Sequence, residues 1–232
     1  MFKINNQNID LLSEEEKLNR LEVTPSIIKF FTNPSEEMQL VAVNQDGNSL
    51  QYIKNPTEQV QLAAIKNYGG SIRWIEEPSI KIQLSAIKEN TRYIALIKNP
   101  SEEVQLEAVK RHPYVIEHIK NPTEKVQLIA VKFHGVLIES IKNPSEKVKL
   151  AAVEYMGISI KWIIDPSEKI QMAAIKNTTR AYKYIKDYNV IKNSREYWDE
   201  EFYRLLINNE LNLTSEQQAE ILEEYNTLEL FK

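Results

Sequence analysis

The 232-residue chain holds only three histidines, and two of them, His112 and His134, stand 22 residues apart. Imidazole is the commonest metal ligand and the usual general base near neutral pH. A pair in fixed register is therefore the first place to look for chemistry. No carboxylate follows the same register beside them, and no nucleophile–His–Asp pattern can be read. Cysteine is absent, which removes thiolate catalysis, disulfides and cysteine metal sites. No phosphate-cradling Walker loop or glycine-rich dinucleotide fingerprint is present. These residues predict no enzyme, no metal and no cofactor.

The remaining residue types suit recognition. Lysine recurs at Lys66, Lys88, Lys110, Lys132 and Lys176, a row that could track phosphates or remain a solvated face. Large and mostly aromatic side chains recur at Tyr52, Trp74, Leu96, His118, Trp162 and Tyr184, with Ser140 in the same register. Tyr and Trp are enriched at protein-binding hot spots and also stack on bases. The competing expectation is that these rings pack between neighbouring units. A third group, Ile129, Phe133 and Tyr155, would form an apolar partner patch if exposed.

Every one of these rows steps by 22 residues or a multiple of it, because the chain itself does. Proline stands at Pro34, Pro56, Pro78, Pro100, Pro122, Pro144 and Pro166. This defines seven repeats over residues 34–187, numbered below from the proline as position 1. Position 22 is usually Asn, position 2 Ser or Thr, and position 3 Glu in six of the seven repeats. Asn before Pro reads as an N-cap, with Glu at N3 closing a capping box. Helix A is then expected over positions 1–12. The third repeat, with Glu77 before Pro78 and Ile80 at position 3, is expected to have the weakest cap. Glycine at position 14 (Gly47, Gly69, Gly135, Gly157) reads as a left-handed C-cap. A short helix B, partly 3₁₀, follows over positions 15–21, with apolar residues at 17 and 20 on one face.

On a helical wheel, positions 5, 7, 9 and 10 form an apolar arc and positions 4, 8, 11 and 12 the exposed one. Position 6 falls inside the apolar arc, yet it is Gln in six repeats. The expectation is an amide ladder onto the adjacent unit's backbone or Gln, with a polar groove as the alternative. Two short helices cannot bury a core alone, whereas stacked units can. The fold class is thus an all-α solenoid of seven two-helix repeats. Residues 1–33 form an N-terminal segment with a worn repeat, opened by a capping box at Ser13–Glu16. Residues 188–232 form an acidic helical C-terminal cap, with one helix opened by Asn193–Glu196 and another by Thr214–Gln217.

The unit resembles the short HEAT-like and leucine-rich-variant α-solenoids over roughly two-thirds of the chain, in the Asn-Pro-Ser-Glu helix A phrase and the apolar pair that follows. The resemblance implies a binding scaffold without naming the ligand. Repeats of this kind occur in uncharacterised bacterial and phage proteins. That setting raises the expectation of an inhibitor docking on a host defence protein such as a CRISPR effector. An iron–sulfur segment found in one leucine-rich-variant member needs cysteines that this chain lacks.

Charge bounds the alternatives. The net charge is −4, with residues 196–232 at −8 and the rest at +4. That balance does not mark a general nucleic-acid binder. The N-terminal residues lack a secretory apolar core, and no apolar run approaches a bilayer span, so a cytoplasmic location with no membrane contact is expected. A protein partner leads. Single-stranded nucleic acid, held by the Lys row and the rings together, is the alternative.

Overall fold

The computed structural model describes residues 11–229; the first ten and last three residues of the two terminal segments lie outside them. Every element among the described residues is helical. The seven repeats supply α2 (Glu36–Gln45), α3 (Glu58–Asn67), α4 (Ile80–Glu89), α5 (Glu102–Arg111), α6 (Glu124–Phe133), α7 (Glu146–Tyr155) and α8 (Glu168–Asn177). Each is followed by a six-residue 3₁₀ segment, the first being Gly47–Tyr52 and the last Thr179–Tyr184. Before them, α1 (Glu14–Val23), with its Ser13–Glu16 capping box, precedes a 3₁₀ segment over Pro25–Phe30. The chain is an α-solenoid. Its described residues fall into two compact units, one ending at Lys120 and the other beginning at Asn121, between the fourth and fifth repeats.

Helix A starts two residues later than the Asn-Pro phrase suggests, at position 3. The cap is Ser or Thr at position 2, whose hydroxyl accepts from the backbone N–H three residues on, as Ser35 does from Met38 and Thr123 from Val126. Asn at position 22 serves instead to turn the chain, since Asn55, Asn143 and Asp165 adopt φ of 50°. Asn and Asp tolerate this left-handed conformation better than other residues with a Cβ. The third repeat keeps the same cap, Ser79 accepting from Ile82. Its missing Glu is felt elsewhere. In other repeats the position-3 carboxylate accepts the cap hydroxyl of the following repeat, as Glu36 does from Thr57 at 2.5 Å and Glu58 from Ser79 at 2.9 Å. Ile80 cannot do this, and Ser101 of the next repeat instead donates its backbone N–H to Gln83 Oε1 at 3.4 Å.

The core lies between a layer of α-helices and a layer of 3₁₀ segments. Positions 5, 9 and 10 are buried in all seven repeats, from Met38, Ala42 and Val43 to Ile170, Ala174 and Ile175. Position 17 meets them from the other layer, as Leu50, Ile72, Ile94, Ile116, Ile138 and Ile160, joined by the buried Ile residues of position 20. The 3₁₀ segment closes when the position-20 N–H donates to the position-17 carbonyl, as from Ile53 to Leu50 at 3.1 Å.

Glycine at position 14 is not a left-handed cap, since no glycine among the described residues has positive φ. It is there for close approach. A Cβ on Gly47, Gly135 or Gly157 would sit 2.5 Å from the carbonyl oxygen of Ala64, Ala152 or Ala174 in the next repeat. Asn at position 12 fastens the same joint. Asn67 accepts from Gly47 N–H and donates to Asn44 O, and Asn177 does the same to Gly157 and Glu154. The Gln residues of position 6 donate within their own repeats: Gln39, Gln61, Gln83, Gln105, Gln127 and Gln171 each donate to the proline carbonyl five residues back. The amide nitrogens thus brace each helix start, and the expected bond to the adjacent unit's backbone is made where Gln83 accepts from Ser101.

The C-terminal cap departs from the expected layout. Asn193–Glu196 does not open a long helix. A short α9 (Tyr188–Asn193) and a 3₁₀ turn (Arg195–Tyr197) come first, and Asp199 caps α10 (Glu200–Ile207). Thr214 and Gln217 do form their capping box, opening α11 (Ser215–Glu229). Tyr182, standing where earlier repeats have Leu or Ile, packs its ring 4.7 Å from Phe202 and shares its hydroxyl with Ser194 Oγ at 2.8 Å. Trp198 stacks on Phe202 at 4.9 Å. The acidic tail lies against the last repeat. Arg180 and Lys183 of that repeat pair with Glu201 and Glu210, and within the cap Lys192 pairs with Glu220 and Arg195 with Glu224 at 2.5 Å.

Candidate recognition face

The two expected binding rows lie on opposite sides of the core. Position 11 of helix A, carrying Lys66, Lys88 and Lys110 in the first unit and Lys132 and Lys176 in the second, is exposed on the α layer. Position 19 belongs to the 3₁₀ layer. Since positions 17 and 20 turn inward, position 19 turns out. Tyr52 is 38 % exposed, Trp74 44 %, Leu96 36 %, Trp162 39 % and Tyr184 38 %. His118 is half-buried, its Nε2 3.4 Å from Glu117, and Ser140 is exposed. The rings are thus neither core nor free. Trp74 reaches back with Nε1 3.5 Å from Asn48 Oδ1 of the preceding repeat, and Lys29 sits 5.7 Å from the Tyr52 ring centre. Lys161 lies 4.4 Å from the Trp162 ring centre.

On the helical face two position-4 lysines are paired, while the Lys row of position 11 enters no ion pair among the described residues. Lys81 lies 3.6 Å from Glu58 and Lys147 3.5 Å from Glu124 of the preceding repeat. The Glu124 carboxyl is held below its ordinary range, first by the Ser145 hydroxyl and then by Lys147. Shallow grooves run between neighbouring α-helices, one of about 230 Å³ lined by Leu84, Lys88, Leu106, Glu107 and Lys110.

The 3₁₀ face carries its own cations, which the Lys row of helix A does not include. Position 21 is Lys54, Lys98 and Lys120 in the first unit and Lys142 and Lys186 in the second. All are exposed, two residues from the rings, and none joins an ion pair among the described residues. The signal is present in the sequence as Lys in five of seven repeats. Glu76 and Ile164 hold the other two places, and Ile164 is 89 % exposed. It lines a groove of about 870 Å³ in the second unit with Ile163, Tyr184, Lys186 and Asn212. A smaller counterpart of about 220 Å³ in the first unit is lined by Glu76, Pro78, Gln83, Ile97 and Lys98.

The other expected residues sort differently. Phe133 and Tyr155 are each 53 % exposed at the ends of α6 and α7, but Ile129 at position 8 is half-buried, not exposed as the wheel placed it. Helix α6 packs against α7 as well as against its own 3₁₀ segment, so its buried arc widens to include position 8. His112 and His134 occupy position 13, the extended corner where helix A gives way to the 3₁₀ segment. They belong to different units. No group of three or more metal-ligating side chains gathers among the described residues, and no helix among them is long and apolar enough to cross a membrane. Comparison with protein-family models, curated proteins and solved structures gives no match.

Proposed function

We propose that this chain is a non-enzymatic scaffold that binds another macromolecule, a protein, through its 3₁₀ face. One observation carries the reading: five of the seven repeats present a partly exposed ring at position 19, while the residues that hold the fold lie one and two places away. Such amphipathic side chains, fixed on a rigid element, supply contact area at low entropic cost. Kinship with HEAT-like solenoids, a cytoplasmic setting and action as an inhibitor of a host defence protein are particular forms of this proposal. The identity of the partner would decide among them.

The test is affinity capture from a bacterial lysate with the tagged chain, with and without nuclease, alongside Trp74→Ala and Trp162→Ala. A discrete protein that survives nuclease and is lost with either variant supports the reading. Loss of helical circular dichroism in those variants would instead make the rings structural. A second reading, single-stranded nucleic acid, is favoured by the unpaired lysines beside the rings. It requires that binding fall steeply with salt and that capture vanish with nuclease.

A further inference from the structure

We infer that the 3₁₀ face of the first unit takes an acidic polypeptide in an extended or polyproline-II conformation, laid along Tyr52, Trp74 and Leu96 with its carboxylates toward Lys54, Lys98 and Lys120. This rests on the protein-binding reading above and names the chemistry of the partner.

Charge gives the sign. Lys54, Arg73, Arg92, Lys98 and Lys120 are exposed on this face and enter no ion pair among the described residues. Elsewhere carboxylates answer part of the charge: Lys81 and Lys147 pair with Glu58 and Glu124, Arg111, helped by Lys110 and Lys88, holds the Glu107 carboxyl low, and Arg180 and Lys183 of the last repeat meet Glu201 and Glu210. A Lys row left unpaired beside half-exposed rings is complementary to carboxylates flanking an apolar residue.

Spacing gives the conformation. Packed helices lie about 8–10 Å apart, so each repeat advances the face by about that distance. Three residues of polyproline II, at about 3.1 Å each, cover the same length and complete one turn. Each three-residue turn of such a peptide would bring an apolar side chain over position 19 and an acidic one toward position 21 of one repeat. The acidic residues on the face decide between polyanions. Glu76, Glu77 and Glu117 are exposed among the cations, and a phosphate backbone with charge on every residue must meet them. A peptide can leave those places uncharged. Glu76 holds position 21 between Lys54 and Lys98, which makes it the point where one carboxylate is refused.

The experiment is fluorescence anisotropy on the full chain with a labelled (Leu-Pro-Glu)₅ peptide, against (Leu-Pro-Lys)₅ and a 15-residue oligo-dT. The acidic peptide is expected to bind and the basic one not to. Combined Lys54→Glu, Lys98→Glu and Lys120→Glu should weaken it by about tenfold or more, and Glu76→Lys should tighten it. Reversing Lys66, Lys88 and Lys110 changes net charge equally on the other layer and should alter affinity by less than about threefold. Equal losses from the two triple variants, tighter binding of oligo-dT, or no binding of the acidic peptide would each overturn the inference. If lysate capture still depends on Trp74 in those cases, only the peptide chemistry falls and the scaffold reading stands. Helical circular dichroism of each variant guards against misfolding.

Discussion

The Thr57 hydroxyl serves two repeats at once: it accepts from Val60 N–H at 3.4 Å, capping its own helix, and donates to Glu36 of the preceding repeat at 2.5 Å. Capping and stacking are therefore one interaction. Thr57→Ala should lose both, costing about 1–2 kcal/mol, the upper part of the range for a lost N-cap. Glu36→Gln should cost less than about 1 kcal/mol, because the amide oxygen still accepts. Equal costs in denaturant melts would show that the link between repeats carries the whole effect.

Gly135 and Gly157 test the reason for their glycine. A left-handed cap accepts Asn almost as well as Gly. A close backbone approach does not, and here a Cβ would lie 2.5 Å from the Ala152 or Ala174 carbonyl oxygen. Gly157→Ala should destabilise by about 1–3 kcal/mol through overpacking. Gly157→Asn should be worse than Ala, which thermal unfolding would read directly.

Ser71 and Ser159 run the other way. Both are buried in the 3₁₀ layer with hydroxyls that find no partner among the described residues. A buried unpaired polar group costs roughly 1–3 kcal/mol. Ser71→Ala and Ser159→Ala should leave stability unchanged or raise it, and a clear loss in denaturant midpoint would contradict the assignment.

Acid should loosen the C-terminal cap first. The Glu201, Glu210 and Glu220 carboxyls are held below their ordinary value, chiefly by Arg204, Lys183 and Lys192 respectively. Their native values lie below the unfolded ones. The stabilisation is thus fully present above the ordinary carboxylate range near 4.5 and is lost as pH falls through the native values. Trp198, buried in the cap, should report this by fluorescence before the helical signal falls. Added salt at neutral pH should weaken these exposed pairs as well. Simultaneous loss of both signals in acid would show that the cap and the repeats unfold together.

The repeat is legible in the sequence because its period is fixed by residues with strong local demands: Pro at a helix start, and apolar side chains at 5, 9, 10, 17 and 20. The roles of Asn55 and Gly47 are not legible, because the same residue types serve several purposes. Asn suits both an N-cap and a left-handed turn, and Gly suits both positive φ and a tight contact. Only the neighbouring repeat settles which applies. The reach of Thr57 to Glu36, across 21 residues, leaves no trace in local pattern. The candidate recognition face is half legible. Trp74 and Trp162 stand out as large and variable, but Lys54 and Lys98 do not, since lysine at a loop position reads as solvation. The layer each row faces depends on position 14 opening a 3₁₀ segment rather than an α-helix.

Holding the fold at 17 and 20 while presenting 19 and 21 separates two kinds of selection on neighbouring residues. Ile72 and Ile75 cannot drift without opening the stack, whereas Trp74 and Glu76 can change with little effect on it. Duplication of a 22-residue unit would add another such pair already in place. The outward residues of a chain of this kind are free to diverge one repeat at a time, with the architecture inherited unchanged.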